Sequence, residues 1–149
     1  MPCIGCVACL PACGPLLLHC VMRYLSDAWL DAANDALATS EAPPQGARLI
    51  IDQHVSDVGS WRVVIDDAPH IDRLAGEDPE RSRADAAFRQ SLATAHAIAV
   101  GSTDAHQAFL LGEIRFEGDI NAVIQQRDAL RWLQLALAPV MAQTTWPAA

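Results

Sequence analysis

Cys3, Cys6, Cys9 and Cys13 are the residues whose types and spacing come nearest to a chemical site. The spacing C-x2-C-x2-C-x3-C can present thiolates to an iron–sulfur cluster, with Cys20 or a partner's residue completing the set. The same thiolates could hold zinc. Against a cluster, Gly14-Pro15 follows the fourth cysteine where proline alone would be expected, and residues 22–149 do not read as a compact fold built around a metal. No cofactor or metal is therefore expected, and these four cysteines stand as the alternative ligands. Elsewhere, His54, His70, His96 and His106 make no H-x-H or H-E-x-x-H set. There is no G-x-S-x-G nucleophile elbow. Asp66-Asp67 and Glu77-Asp78 fall in turns, where short carboxylates bond local backbone. Gly112 and Gly118 enclose a strand rather than a phosphate-cradling loop. The expectation is a protein that is not an enzyme.

The elements that would position any site begin after a sharp break in composition. The first 21 residues hold all five cysteines and no charged side chain; residues 22–149 hold every Asp, Glu and Arg and no cysteine. A leader (1–21) and a domain (22–149) follow from that break. A secretion signal would need a positive segment before its apolar core, and no Arg precedes Arg23. Leu10-Pro11-Ala12-Cys13 has the outline of a lipoprotein processing site, also without a preceding positive charge. The leader is read as a disordered tail or as sequence upstream of a start at Met22, with export, lipidation and metal binding as the alternatives.

At 149 residues the chain suits one domain. Its net charge of −8 and its scattered arginines argue against nucleic acid as a partner. No apolar run approaches the ~18 residues of a membrane helix, so a soluble, cytoplasmic protein with no stable membrane insertion is expected. Ser26 is placed to cap a helix with Leu30, Ala33 and Leu37 on one side and Trp29 beside them, ending before Pro43-Pro44. Ala47–Val55 alternates as a strand with Leu49, Ile51 and Val55 inward, and Asp57–Ser60 turns the chain. Trp61–Asp66 alternates again, with Trp61, Val63 and Ile65 together, and His70–Leu74 suggests a third strand. Ser91 would cap a helix with Leu92, Ala95, Ile98 and Ala99 on one face, stopped by Gly101, and Asp104 opens another. In Glu113–Glu117 charged and apolar residues alternate, so Ile114 and Phe116 face in. A last helix is expected from about Asp119 to Ala138, with Ile120, Val123, Ile124, Leu130, Leu133 and Leu137 as its buried stripe, kinked or ended by Pro139. Residues 140–149 then read as a loosely held tail, with Trp146 against the surface.

The run Gln-Ala-Phe-Leu-Leu-Gly followed by Glu-Ile-Arg-Phe-Glu-Gly-Asp-Ile, residues 107–120, resembles the signature of the sterol carrier protein type 2 domain family. The resemblance extends from about Met22 to about Leu137. It implies an α+β fold: a mixed, mostly antiparallel sheet of about five strands, covered by helices on one face, with an apolar cavity between. Propensity leaves Ala84–Gln90 ambiguous, and the resemblance makes it a short edge strand. It also implies binding and carrying of a sterol, fatty acyl lipid or similar apolar small molecule, with no catalytic residues.

Composition does not separate a solid core from a container, because Phe88, Ile98, Phe109, Ile114, Phe116, Ile120 and Val123 would be core in any α+β domain. The resemblance tips the reading, and with it the implied lining is Trp61, Val63, Phe88, Ile98, Phe109, Leu110, Ile114, Phe116, Ile120, Val123 and Ile124. Arg115, Gln107 and Asn121 are candidates for a polar mouth, and the terminal helix for a wall that moves on release. The alternatives are an accessory module with a filled core that partners an enzyme, and a redox protein using the cysteine leader. Oligomeric state is left open.

Overall fold

The computed structural model describes residues 21–76 and 83–148. The five cysteines, with the metal and leader readings attached to them, and Glu77-Asp78 lie outside the described residues. The elements in order are β1 (Met22–Arg23), α1 (Asp27–Thr39), β2 (Leu49–Val55), β3 (Gly59–Ile65), β4 (His70–Arg73) and β5 (Ala86–Gln90). There follow α2 (Leu92–Ala99), α3 (Ala105–Leu110), β6 (Ile114–Gly118), α4 (Ile120–Gln125), α5 (Arg127–Ala142) and β7 (Thr144–Thr145).

The main sheet has the order β4-β3-β2-β5-β6. All neighbours are antiparallel except β2 and β5, which run parallel. This is the expected mixed, mostly antiparallel five-stranded α+β sheet. Alternation along each strand sends Leu49, Ile51, Val55, Trp61, Val63, Ile65, Ile71, Ala86 and Ile114 to one buried face. On the other face Arg62 forms a two-pronged pair with Asp52, at 2.6 and 2.9 Å. α1 packs on β4 and α5, burying Trp29, Ala33 and Leu37. Ser26 caps it by accepting from the Trp29 N–H.

Asn34 of α1 reaches the outer edge of β4. Its Nδ2 donates to the Ile71 carbonyl at 2.9 Å, and its Oδ1 accepts from the Ile71 N–H at 2.7 Å. These bonds occupy backbone groups that an edge strand would otherwise offer to another chain.

Several local expectations are corrected. β5 is not an edge strand: β6 returns antiparallel outside it, pairing Phe88 with Phe116, so the free edges belong to β4 and β6. The expected single C-terminal helix is two helices broken at Gln126, whose φ and ψ of −100° and 22° leave the helical region. The break has a packing reason, since α4 lies against β5 while α5 lies against α1. α5 runs through Pro139 to Ala142. The carbonyl that Pro139 cannot serve belongs to Leu135, on an exposed turn where water can bond it.

The C-terminal segment is tied down rather than loose. β7 pairs in parallel with β1, and Thr144 Oγ1 accepts from Trp29 Nε1 at 3.0 Å. The Trp146 ring lies 4.1 Å from that of Tyr24 and 5.0 Å from His96. Ile120 and Ile124 are 45% and 59% exposed, so the expected buried stripe does not include them, and Ala99 is exposed as well.

Candidate functional site

The helices after β5 are set by short polar caps. Ser91 accepts from the Thr94 N–H at 3.1 Å, Asp104 from the Gln107 N–H at 2.7 Å, and Asp119 from the Asn121 N–H at 2.9 Å. Each cap satisfies an otherwise orphaned first-turn donor and fixes where its helix starts. α2 and α4 thereby begin one cap residue after β5 and β6, and α2, α3 and α4 all contribute apolar residues to the space over the buried face of the sheet.

Between them lies a hollow of about 420 Å³. Its floor is Ile51, Gln53, Val63, Phe88, Gln90, Ile114 and Phe116 of the sheet; its roof is Ile98 of α2, Ala105, His106 and Phe109 of α3, Ile120 and Val123 of α4, and Leu130, Leu133 and Gln134 of α5. The volume falls within the roughly 300–1,000 Å³ of small-molecule pockets. Phe88 and Phe116 meet edge to face with centroids 5.3 Å apart. Phe109 and Ile120 line the hollow yet are 46% and 45% exposed, which puts them at its mouth. Leu110, Leu111 and Ile124, their neighbours along the chain, are exposed too.

Of the residues singled out from the sequence, Val63, Phe88, Ile98, Phe109, Ile114, Phe116, Ile120 and Val123 come together around this hollow. Trp61 lies outside that lining, in a neighbouring cleft of about 900 Å³ with Tyr24, Ala95, His96, Leu137, Met141 and Trp146. Leu110 and Ile124 project at the surface, 69% and 59% exposed. Arg115, Gln107 and Asn121 are exposed and do not line the hollow. Arg115 follows inward-facing Ile114, so strand alternation turns it to the opposite side of the sheet.

The sequence reading passed over Gln53 and Gln90. Alternation carried the signal for both: Gln53 stands between Ile51 and Val55, and Gln90 lies two residues after Phe88. Both side chains line both hollows, as do Ile98, Leu133 and Gln134, so the two spaces share one wall.

The electrostatics of this interior are plain. Among the described residues neither lining contains an Asp, Glu, Lys or Arg; the titratable groups are His106, His96 and Tyr24. Burial pushes the Tyr24 phenol above its ordinary range, so it stays neutral. A third cleft of about 760 Å³ is lined by Asp27, Asp57 and Arg73 among others, a charged lining poorly suited to an apolar molecule. Among the described residues no group of three or more His, Cys, Asp or Glu could hold a metal ion. No helix among them is long and apolar enough to cross a membrane.

Residues 33–131 match the SCP-2 sterol transfer family. No curated protein matches the chain. Among solved structures, the apo form of sterol carrier protein 2 from Yarrowia lipolytica superposes with a TM-score of 0.51 at 17% identity, over 72% of this chain and 88% of that one. Sterol carrier protein 2 like 2 from Aedes aegypti gives a TM-score of 0.50 at 15% identity, over 65% and 88%. The solution structure of the palmitated form of that mosquito protein gives 0.50 at 14% identity, over 65% and 86%.

Proposed function

This chain belongs to the SCP-2 sterol transfer family, and on that premise we propose that it binds and carries a lipid of sterol or fatty acyl type without transforming it. The observation that carries the reading is the hollow of about 420 Å³ between the sheet and the helices after β5, lined mainly by aliphatic and aromatic side chains. The palmitated mosquito structure supports an acyl chain as one kind of cargo for this fold.

The physics needs no charge. Each methylene moved from water into an apolar pocket contributes about 0.8 kcal/mol. A dozen of them, about 10 kcal/mol, are comparable to the roughly 4–15 kcal/mol lost in immobilising a ligand. Phe109 and Ile120 at the mouth let an apolar chain pass from an outside surface to the inside without meeting a charged residue of the lining.

Native mass spectrometry of gently purified protein tests the reading directly, since bound lipid adds mass that organic extraction removes. Phe116→Arg places a cation at the floor and is expected to abolish uptake of a fluorescent fatty acid while circular dichroism stays native. A folded Phe116→Arg protein with unchanged uptake, or a wild-type protein that takes up neither lipid nor dye, would refute it.

A further inference from the structure

Gln53 and Gln90 are out of place on the sheet face they occupy. Gln53 stands in register with Trp61 on one side and Phe88 on the other; Gln90 stands with Val55 and Ile114. The Oε1 atoms of both are buried, and no hydrogen-bond donor among the described residues reaches either. A buried acceptor left unpaired is costly, and native proteins rarely keep two so close together on an apolar face. Both residues line the 420 Å³ hollow and the 900 Å³ cleft, so a small turn of either side chain would present its buried oxygen where the two spaces meet.

We propose that Gln53 and Gln90 form a neutral polar subsite that receives the hydrogen-bond-donating head of an otherwise apolar ligand, a hydroxyl group. The proposal rests on the container reading above and specifies the chemistry of the cargo's polar end. A hydroxyl donates to an Oε1 and can also accept from a carboxamide N–H, so it matches a carboxamide on both counts. An ionised carboxylate only accepts. It would leave the two oxygens unsatisfied and bring a negative charge into a lining that holds no Arg or Lys among the described residues. The histidines of the two linings, His96 and His106, are on exposed helical positions, where their ring nitrogens can bond water. A plain hydrocarbon would fill the space but also leave the oxygens unpaired. The ranking is therefore alcohol before carboxylate and before hydrocarbon at equal chain length.

The test is displacement of a bound fluorescent apolar dye by hexadecanol, palmitate and hexadecane at a pH of about 8, well above the carboxylate range. Wild-type protein is expected to bind hexadecanol roughly five- to tenfold more tightly than either of the others, the ratio a single net hydrogen bond supports. In the Gln53→Met/Gln90→Met double variant the advantage over hexadecane is expected to vanish, while hexadecane binds as well or better. Dye uptake with palmitate preferred in the wild type, or an alcohol preference that survives in the double variant, overturns the subsite and leaves the container reading standing. A wild-type protein that takes up no dye and none of the three overturns both. If the double variant does not fold, the single variants Gln53→Met and Gln90→Met carry the same comparison, and an alcohol preference undiminished in both overturns the subsite.

Discussion

Gly118 ends β6 and hands the chain to α4, and it leaves no space for a side chain. Its φ is +114°, and a Cβ built there would lie 2.4 Å from the Asp85 carbonyl oxygen and 3.0 Å from the Ala86 Cα. The obstructing oxygen cannot easily give way. It accepts from the Asp119 N–H at 2.9 Å, while Asp85 is bound to Ile50 through its own N–H at 2.9 Å and through Oδ2 at 2.8 Å. Gly112, at the other side of the same strand, has φ +76° and nothing within 4 Å of a built Cβ. Gly112→Ala therefore meets only the backbone penalty of positive φ, about 1–2 kcal/mol. Gly118→Ala meets that penalty and overpacking against fixed backbone, typically a further 1–3 kcal/mol, for a total of about 2–5 kcal/mol. With a urea m-value of about 2 kcal/mol/M, the midpoint should fall by about 1–2.5 M for Gly118→Ala and by under about 1 M for Gly112→Ala. Dye uptake should fall with the first, because the strand end it disturbs carries Asp119, the cap that starts α4 over the hollow. Equal losses in the two variants would refute the reasoning, since both replace a glycine at positive φ and only one meets an obstruction.

Two further outcomes follow from the geometry. Burial, and secondarily Arg89, lowers the pKa of His54, against the opposing pull of Asp52 and Glu117. Its contribution to stability is thus complete above the unfolded value of about 6.5 and is lost as pH falls from there through the lower folded value, because the unfolded chain takes up the proton first. Urea unfolding of His54→Asn across this window should show a flatter pH dependence than wild type, and parallel curves would count against it. Trp146→Ala removes a ring that packs on Tyr24 and His96. For a partly exposed tryptophan it should cost about 2–4 kcal/mol, measured by thermal or urea unfolding, whereas a loss below about 0.5 kcal/mol would mean that the C-terminal segment is loose after all.

Local chemistry alone determined much of this protein. Alternation in Leu49–Val55, Trp61–Ile65 and Ile114–Phe116 announced three strands and their inward faces, because a strand half-covered by helices must place apolar groups every second residue. Ser26, Ser91, Asp104 and Asp119 marked four helix starts, because the orphaned first-turn N–H groups need an oxygen close in sequence. The run from Gln107 to Ile120 carried the family.

Tertiary structure decided the rest, wherever distant residues compete for the same segment. Ala86–Gln90 is a strand despite its alanines because β2 and β6 bond it from both sides, and β6 arrives only after two helices. α4 and α5 share one apolar periodicity in sequence yet break at Gln126, because one must lie over β5 and the other against α1. Trp146, more than a hundred residues from Tyr24, is held by a contact that no local pattern encodes. The hollow itself belongs to this class: a residue's preference for burial is the same whether it faces another side chain or a ligand, and only the spacing of sheet and helices determines whether room is left between them.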